Sequence, residues 1–134
     1  MAGLPQGTPV RLVGHSWGAD TAAQIVARLG DDGRRVESLV TIDPVGRGTS
    51  DRFFARVRRG AGQWINVRAT GGGAFEPSNF VAALGSPYGR GPRGHATAFI
   101  EAPYRHRDFW DMLTFAGPDG LSAIDVASGR GRPK

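Results

Sequence analysis

The stretch that most constrains the fold is residues 10–30, VRLVGHSWGADTAAQIVARLG. It contains a short apolar run and, after one short turn, apolar residues at helical spacing. Val10, Leu12 and Val13 give a short apolar and β-branched run that is typical of a buried strand. Beyond Gly18, apolar residues recur three or four positions apart, which is the spacing of one helix face. These residues are Ala19, Ala22, Ala23, Val26 and Leu29. Gly30 is a suitable helix stop, so the sequence predicts a strand, a tight turn and a helix.

The turn between this strand and helix carries a serine that has a glycine two residues away on each side. In a G-x-S-x-G turn placed between a strand and a helix, the serine is held exposed in a strained backbone conformation. Such a turn leaves little room for side chains, and we expect Gly14 and Gly18 to provide the clearance. Ser16 is therefore the predicted nucleophile. The alternative is a solvated serine in a glycine-rich turn, because the pattern alone is weakly specific.

The rest of the chain alternates between strand and helix patterns. The second predicted strand covers 36–45 and is ended by Asp43-Pro44, and a helix over 51–59 follows that Ser50 would cap. A third strand covers 62–70, and the loop over 71–94 contains a short helix (79–85) that Ser78 would cap. The last predicted elements are a strand over 96–102 and a helix over 107–117. Strands and helices that alternate in this way predict an α/β fold with a parallel sheet. Right-handed crossovers would place the helices on both faces of that sheet.

Length and composition predict a single domain without disulfide bonds. A chain of 134 residues with 40% hydrophobic content is long enough for one domain, which we place at residues 1–117, followed by a flexible tail over 118–134. The absence of cysteine excludes a cysteine nucleophile and thiolate metal sites, and we expect no metal or cofactor. The first ten residues lack a signal-peptide pattern, and no apolar run approaches the ~20 residues of a membrane span. We expect a cytoplasmic protein.

The net charge of +5 comes from arginine, because all but one of the 17 basic residues are arginines. The run RFFARVRRG (52–60) predicts a helix whose arginines face water while Phe53, Phe54 and Val57 face inward. A phosphate-binding patch is the alternative. The terminal RGRPK (130–134) resembles the core of an AT-hook, which places arginines in the narrow minor groove of DNA. A solvated tail is the simpler interpretation, and we do not expect nucleic-acid binding.

A serine nucleophile needs a histidine base, and sheet geometry selects one of the three histidines. In a parallel α/β sheet, functional residues collect at the carboxyl ends of the strands. His106 follows the strand over 96–102 and His95 precedes it, so the two lie roughly 23 Å apart at ~3.3 Å per residue. Ser16 also follows its strand, which selects His106. His15 is next to Ser16 and is expected to point away and pack.

The base in turn needs an acid, and the same rule favours Asp43. This residue follows the second strand, and Pro44 fixes the chain direction after it. Glu76, in the loop after the third strand, is the alternative acid, and Asp43 could instead be only a turn terminator. Among the remaining candidates, Asp108 and Asp111 lie on a helix that directs them elsewhere, and Asp31 and Asp32 lie at the opposite edge.

The chain order Ser16, Asp43, His106 resembles that of the α/β-hydrolase superfamily, in which G-x-S-x-G is followed by the acid and then the histidine. VRLVGHSWGADTA is similar to strand five, the nucleophile elbow and the following helix of that fold. Lipase-like members of the superfamily carry the acid after strand six, and LVTIDPV is similar to that segment. Strands seven and eight would then be WINVRAT and FIEAPYRHRDFWDML. The resemblance covers roughly residues 8–116 and implies an incomplete fold comprising strands five to eight.

The resemblance implies a serine hydrolase that cleaves an ester-like acyl bond of a small-molecule substrate through an acyl-enzyme. It assigns the Trp17 N–H to the oxyanion hole. The second oxyanion donor of the family follows strand three and has no counterpart here, so we expect the isolated chain to be poor or inactive. Strand five would form an exposed edge, which predicts self-association or a partner chain. The alternative function is a non-catalytic fragment or pseudo-enzyme, an interaction module or half of a split hydrolase.

Overall fold

The computed structural model describes residues 8–46, 49–71, 86–117 and 120–129. Its elements in chain order are β1 (Arg11–His15), α1 (Trp17–Asp31), β2 (Val36–Ile42), β3 (Val45–Gly46), α2 (Asp51–Gly60), β4 (Ala61–Ala69), β5 (Ser86–Pro87), a 3₁₀ turn (Gly91–Gly94), β6 (Ala98–Ala102), α3 (Phe109–Thr114) and α4 (Ala123–Ala127). Four strands form a parallel sheet in the order β1-β2-β4-β6. β3 and β5 form a separate antiparallel pair. The predicted α/β class with a parallel sheet is confirmed.

The sheet separates two hydrophobic cores, and β2 contributes side chains to both. In β2, Leu39 packs with α1 and α2 on one face, whereas Val40 packs with α3 and α4 on the other. Both residues are fully buried. This period of two is what a strand covered on both faces requires. The helices therefore lie on both faces, as predicted.

Local signals in the sequence account for where α1 and α2 begin and end. Gly33 adopts φ = 76° in the turn after α1, a conformation that costs glycine little. Ser50 caps α2, because its hydroxyl oxygen accepts a hydrogen bond from the Phe53 N–H at 3.1 Å. The predicted inward face of α2 is confirmed, since Phe54 and Val57 are buried and Phe53 is half-buried. The elements thus begin close to the residues that the sequence predicts.

Two small residues allow α1 and α2 to pack closely. A Cβ atom at Gly30 would lie 2.8 Å from the Cα of Gly60, and one at Gly60 would overlap the carbonyl oxygen of Val26. We expect Gly60→Ala to lower the free energy of unfolding by about 2–3 kcal/mol, measured by urea denaturation, because the helices must move apart. In the control variant Gly18→Ala, the added Cβ meets nothing within 4 Å among the described residues. Equal stability of the two variants would contradict the tight helix contact.

The segment after residue 117 requires a correction. The predicted tail over 118–134 contains α4, and Ala123 and Val126 are buried in the second core. A capping box holds the start of this helix, because Ser122 and Asp125 each accept a hydrogen bond from the other's backbone N–H. Residues 120–129 therefore belong to the packed domain. The AT-hook-like segment 130–134 lies outside the described residues.

The remaining boundary differences are small. β6 begins at Ala98, two residues later than predicted, and α3 covers only Phe109–Thr114 of the predicted 107–117. The predicted helix over 79–85 and its cap Ser78 lie outside the described residues. No helix in the described part of the chain is both long and apolar enough to cross a membrane.

β1 occupies one end of the sheet order, so one of its edges has no neighbouring strand among the described residues. Val13, at the centre of β1, is 43% exposed. This position agrees with the expected apolar edge. Association of another chain at this edge stays a prediction.

Candidate active site

Ser16 lies in a sharp turn between β1 and α1, where its backbone conformation is strained. Its φ and ψ are 57° and −125°, outside the region that a residue with a side chain prefers. A conformation of this kind costs on the order of 1–3 kcal/mol. The turn is fixed on both sides, since the Ser16 N–H donates to the Ile42 carbonyl at 3.0 Å and the Ser16 carbonyl accepts from Val45 N–H at 3.1 Å. The side chain of Ser16 is thereby held at the carboxyl end of β1.

The two glycines that flank the serine differ in their steric role. A Cβ at Gly14 would lie 2.6 Å from both the Cα of Ala19 and the carbonyl oxygen of Gly18. A Cβ at Gly18 would meet nothing within 4 Å in the part of the chain that is described. The expectation that both glycines provide clearance therefore needs correction. Gly14 is required, because the start of α1 passes directly against it.

His106 joins the serine from the segment between β6 and α3. Its Nε2 lies 2.8 Å from Ser16 Oγ, and its side chain is almost fully buried. The segment is tied back to the sheet end, because the Gly71 N–H donates to the Tyr104 carbonyl at 2.8 Å. The histidine expected to be the base thus lies within hydrogen-bond distance of the serine.

Asp43 completes the chain of contacts at the end of β2. One carboxylate oxygen, Oδ2, accepts a hydrogen bond from His106 Nδ1, and the other, Oδ1, accepts one from the Ala69 N–H at 3.1 Å. The Asp43 backbone has φ = 43°, and its N–H donates to the Val67 carbonyl at 2.6 Å. Backbone groups of β4 therefore fix both the main chain and the carboxylate of Asp43. The serine, histidine and aspartate predicted from the sequence are all brought together.

Three of the other carboxylates considered from the sequence are engaged elsewhere or lie outside the described residues. Asp108 accepts a hydrogen bond from the Arg105 N–H at 2.9 Å, which holds the pKa of the Asp108 carboxyl below its usual value. Asp31 is paired with Arg56 and Arg59 at the far end of α1. Glu76, the alternative acid, lies outside the described residues.

The remaining histidines lie as the strand geometry predicts. His95 precedes β6, and its Nε2 lies 3.2 Å from Asp51 Oδ1, away from Ser16. His15 packs, as expected, with its ring centroid 5.0 Å from that of His106 and 5.4 Å from that of Phe109. The sequence did not reveal a further contact: His15 Nε2 donates a hydrogen bond to the His106 carbonyl at 2.6 Å.

The N–H of Trp17 is oriented by its position as the first residue of α1. None of the described residues accepts a hydrogen bond from it. The N–H groups of a first helical turn have no acceptor within the helix, and the helix dipole adds a partial positive charge there. This donor lies next to Ser16, so it can bind an anion that forms at the serine.

A buried carboxylate behind the turn is a second feature that the sequence did not reveal. Asp20, on the first turn of α1, is 7% exposed and accepts hydrogen bonds from Tyr88 Oη at 2.5 Å and Gln24 Nε2 at 2.6 Å. Burial, and then the Asp20 carboxylate, raise the pKa of the Tyr88 hydroxyl. Tyr88 N–H also donates to the Pro44 carbonyl at 2.9 Å. Asp20 thus links α1 to the segment that follows Asp43.

Taken together, the site brings a hydroxyl, an imidazole and a carboxylate into one hydrogen-bonded chain. The described residues contain no group of three or more histidine, aspartate or glutamate side chains that could hold a metal ion. An imidazole between a hydroxyl and a carboxylate can remove the hydroxyl proton while the carboxylate stabilises the cation that forms. Such an arrangement is suited to nucleophilic attack by Ser16 Oγ.

Comparisons with known proteins do not assign the chain to a family. No protein-family model matches it, and neither a curated protein nor a solved structure shows significant similarity.

Proposed function

We propose that this protein is a serine hydrolase of the α/β-hydrolase type that cleaves an ester-like acyl bond through an acyl-enzyme. The observation that carries this proposal is the hydrogen-bonded chain from Ser16 Oγ through the His106 ring to the Asp43 carboxylate. The strained backbone at Ser16 supports it, because functional residues concentrate at such positions.

The strand topology supports the finer fold assignment. β1, β2, β4 and β6 are parallel neighbours in chain order, and Ser16, Asp43 and His106 each follow the carboxyl end of one of them. We equate these strands with strands five to eight of the α/β-hydrolase fold, in which the same order of serine, acid and histidine occurs.

The proposed reaction begins when Ser16 Oγ attacks the carbonyl carbon of the ester and its proton passes to His106 Nε2. The carbonyl oxygen becomes an oxyanion, which accepts a hydrogen bond from the Trp17 N–H. As the tetrahedral intermediate collapses, the carbon–oxygen bond to the alcohol breaks and His106 returns the proton to that alcohol. A water molecule then attacks the acyl-serine with the same assistance, releasing the carboxylic acid and regenerating Ser16.

Each oxyanion donor contributes substantially to such a reaction. Loss of one donor costs on the order of 3–4 kcal/mol of transition-state stabilisation, or about 10²–10³ in rate. The Trp17 N–H is the donor that we assign in the described part of the chain. A test of the proposal should therefore detect a single slow covalent event and should not depend on rapid turnover.

Fluorophosphonate labelling followed by intact mass measurement provides that test. We expect the folded protein to gain one adduct, located on the tryptic peptide over residues 12–28, in which Ser16 is the only serine. The Ser128→Ala variant is a matched control, because Ser128 lies at the end of α4 and its hydroxyl donates to the Ile124 carbonyl. It should label like the wild type, whereas heat-denatured protein should not label.

The same experiment separates this function from the alternative of a non-catalytic interaction module. If folded protein forms no adduct at any pH at which it stays folded, or if the adduct lies outside residues 12–28, the hydrolase proposal fails. A single adduct on Ser16 would argue against the module, because solvated serines do not react with fluorophosphonates at a useful rate.

A further inference from the structure

His15 connects the strand that carries the nucleophile with the segment that carries the base. It is the last residue of β1 and directly precedes Ser16. A carbonyl oxygen can only accept a hydrogen bond, so His15 Nε2 carries the proton in its 2.6 Å contact with the His106 carbonyl. This hydrogen bond spans 91 residues of sequence and ends on the main chain of the predicted base.

The ring of His15 also packs against the surroundings of His106. The two imidazole rings are tilted by 31° with centroids 5.0 Å apart, and the ring of Phe109, at the start of α3, lies 5.4 Å from the ring of His15. His15 therefore contacts the main chain of His106, its side chain and the following helix. Two of these contacts, the hydrogen bond and the ring packing, act on His106 directly.

Such restraint matters because His106 does not belong to a regular element. It lies in the segment over 103–108, between β6 and α3, which is neither helix nor strand. The ring of His106 is held by Asp43 and Ser16, and the main chain of the segment is tied at Tyr104, whose carbonyl accepts a hydrogen bond from the Gly71 N–H. The hydrogen bond from His15 adds a restraint on the main-chain carbonyl of His106, and its donor is the residue directly before Ser16.

We propose that His15 is a positioning residue that holds His106 Nε2 at hydrogen-bond distance from Ser16 Oγ. The inference rests on the proposed function, since it concerns the alignment of the same nucleophile and base. Misplacement of a reacting group by about 1 Å can reduce a rate on the order of 10²-fold. A loss of this kind changes the chemical step and leaves substrate binding nearly unaffected.

The test compares variants that keep or lose the donor. His15→Phe keeps a ring but loses the N–H, and His15→Asn carries an amide too short to reach the carbonyl. His15→Gln places its amide nitrogen about as far from the backbone as Nε2. We expect His15→Phe and His15→Asn to lower kcat for p-nitrophenyl butyrate about 10- to 100-fold with KM within about twofold, whereas His15→Gln recovers most of the loss. The control His95→Phe, which alters the histidine at the opposite sheet edge, should behave like the wild type.

A second measurement does not depend on activity. In a proton NMR spectrum, the His106 Nδ1 proton shared with Asp43 should give a resolved downfield resonance. We expect this resonance to broaden in His15→Phe and His15→Asn and to remain in His15→Gln and His95→Phe, because only the first two variants free the His106 segment to move.

The two proposals fail in different ways. If the wild type labels on Ser16 but His15→Phe and His15→Asn keep wild-type kcat and an unchanged resonance, the positioning role is wrong and the hydrolase proposal stands. If the wild type does not label, the hydrolase proposal fails, and the resonance alone decides whether His15 orients His106. Should His15→Phe fail to fold, His15→Asn carries the comparison. Equal losses in His15→Gln and His15→Phe would also overturn the role, because the donor would then be irrelevant.

Discussion

Replacing Ser16 with alanine is expected to lower kcat for p-nitrophenyl butyrate by about 10³- to 10⁴-fold, which is less than in a complete triad enzyme because a single oxyanion donor, the Trp17 N–H, is assigned here. The variant retains His106, Asp43 and the Trp17 N–H, but it has no oxygen 2.8 Å from His106 Nε2 to attack the substrate. Steady-state hydrolysis at saturating ester, corrected for buffer hydrolysis, measures the loss.

The substitution should leave the fold nearly unchanged, which makes the kinetic result interpretable. Among the described residues, the Ser16 side chain forms one hydrogen bond, the one with His106, and alanine inherits the same strained φ of 57°. We expect the free energy of unfolding to change by less than about 1 kcal/mol. Ser128→Ala serves again as the matched control for kcat. Residual turnover within about tenfold of the wild type would show that hydrolysis occurs elsewhere on the protein.

The positions of Ser16, Asp43 and His106 could be predicted because strand direction is a strong constraint. Parallel strands bring every residue that follows a strand to one edge of the sheet. This reasoning selected His106 over His95 as the base without any knowledge of side-chain contacts. In the structure, His106 lies beside Ser16, whereas His95 lies beside Asp51. The steric requirement of the turn was predicted only in part, since Gly14 has to accommodate the start of α1 whereas a Cβ at Gly18 would meet no described residue within 4 Å.

The contacts that the sequence did not reveal involve residues that no motif or periodic pattern marks. The bond from His15 to the His106 carbonyl depends on the path of the segment over 103–108, which has no periodic pattern to reveal it. Tyr88 and Asp20 are likewise 68 residues apart and meet only through the fold. Sequence periodicity describes one element at a time, so pairings between irregular segments and distant helices lie beyond it.

The helix α4 was missed for a different reason. It has only five residues, which is too short for a helical repeat to stand out from the surrounding polar sequence. A signal was nevertheless present, because Ser122 followed three residues later by Asp125 resembles a capping box, in which the acidic residue is usually glutamate. Capping signals can therefore identify short helices that periodicity does not.

The second large effect is expected for Asp43→Asn, which should reduce kcat about 10²- to 10³-fold while KM changes little. The Ala69 N–H donates to Asp43 Oδ1, so the amide oxygen of an asparagine is retained at that position. Its NH₂ group then faces His106 Nδ1 and donates to it. The imidazole proton is forced onto Nε2, which can no longer accept the proton of Ser16. Replacement of one oxygen by NH₂ thus reverses the direction of both hydrogen bonds of the ring.

A control at Asp111 distinguishes this effect from a general loss of negative charge near His106. Asp111 is an exposed residue of α3, five positions after His106, and Asp111→Asn removes the same charge without touching the ring. We expect Asp111→Asn to keep kcat within about twofold of the wild type, because exposed charges at this distance are screened. Steady-state kinetics and fluorophosphonate labelling rates should agree for both variants. Equal activity of Asp43→Asn and Asp111→Asn would mean that Asp43 does not set the tautomer of His106, and the acid of the site would have to be sought elsewhere.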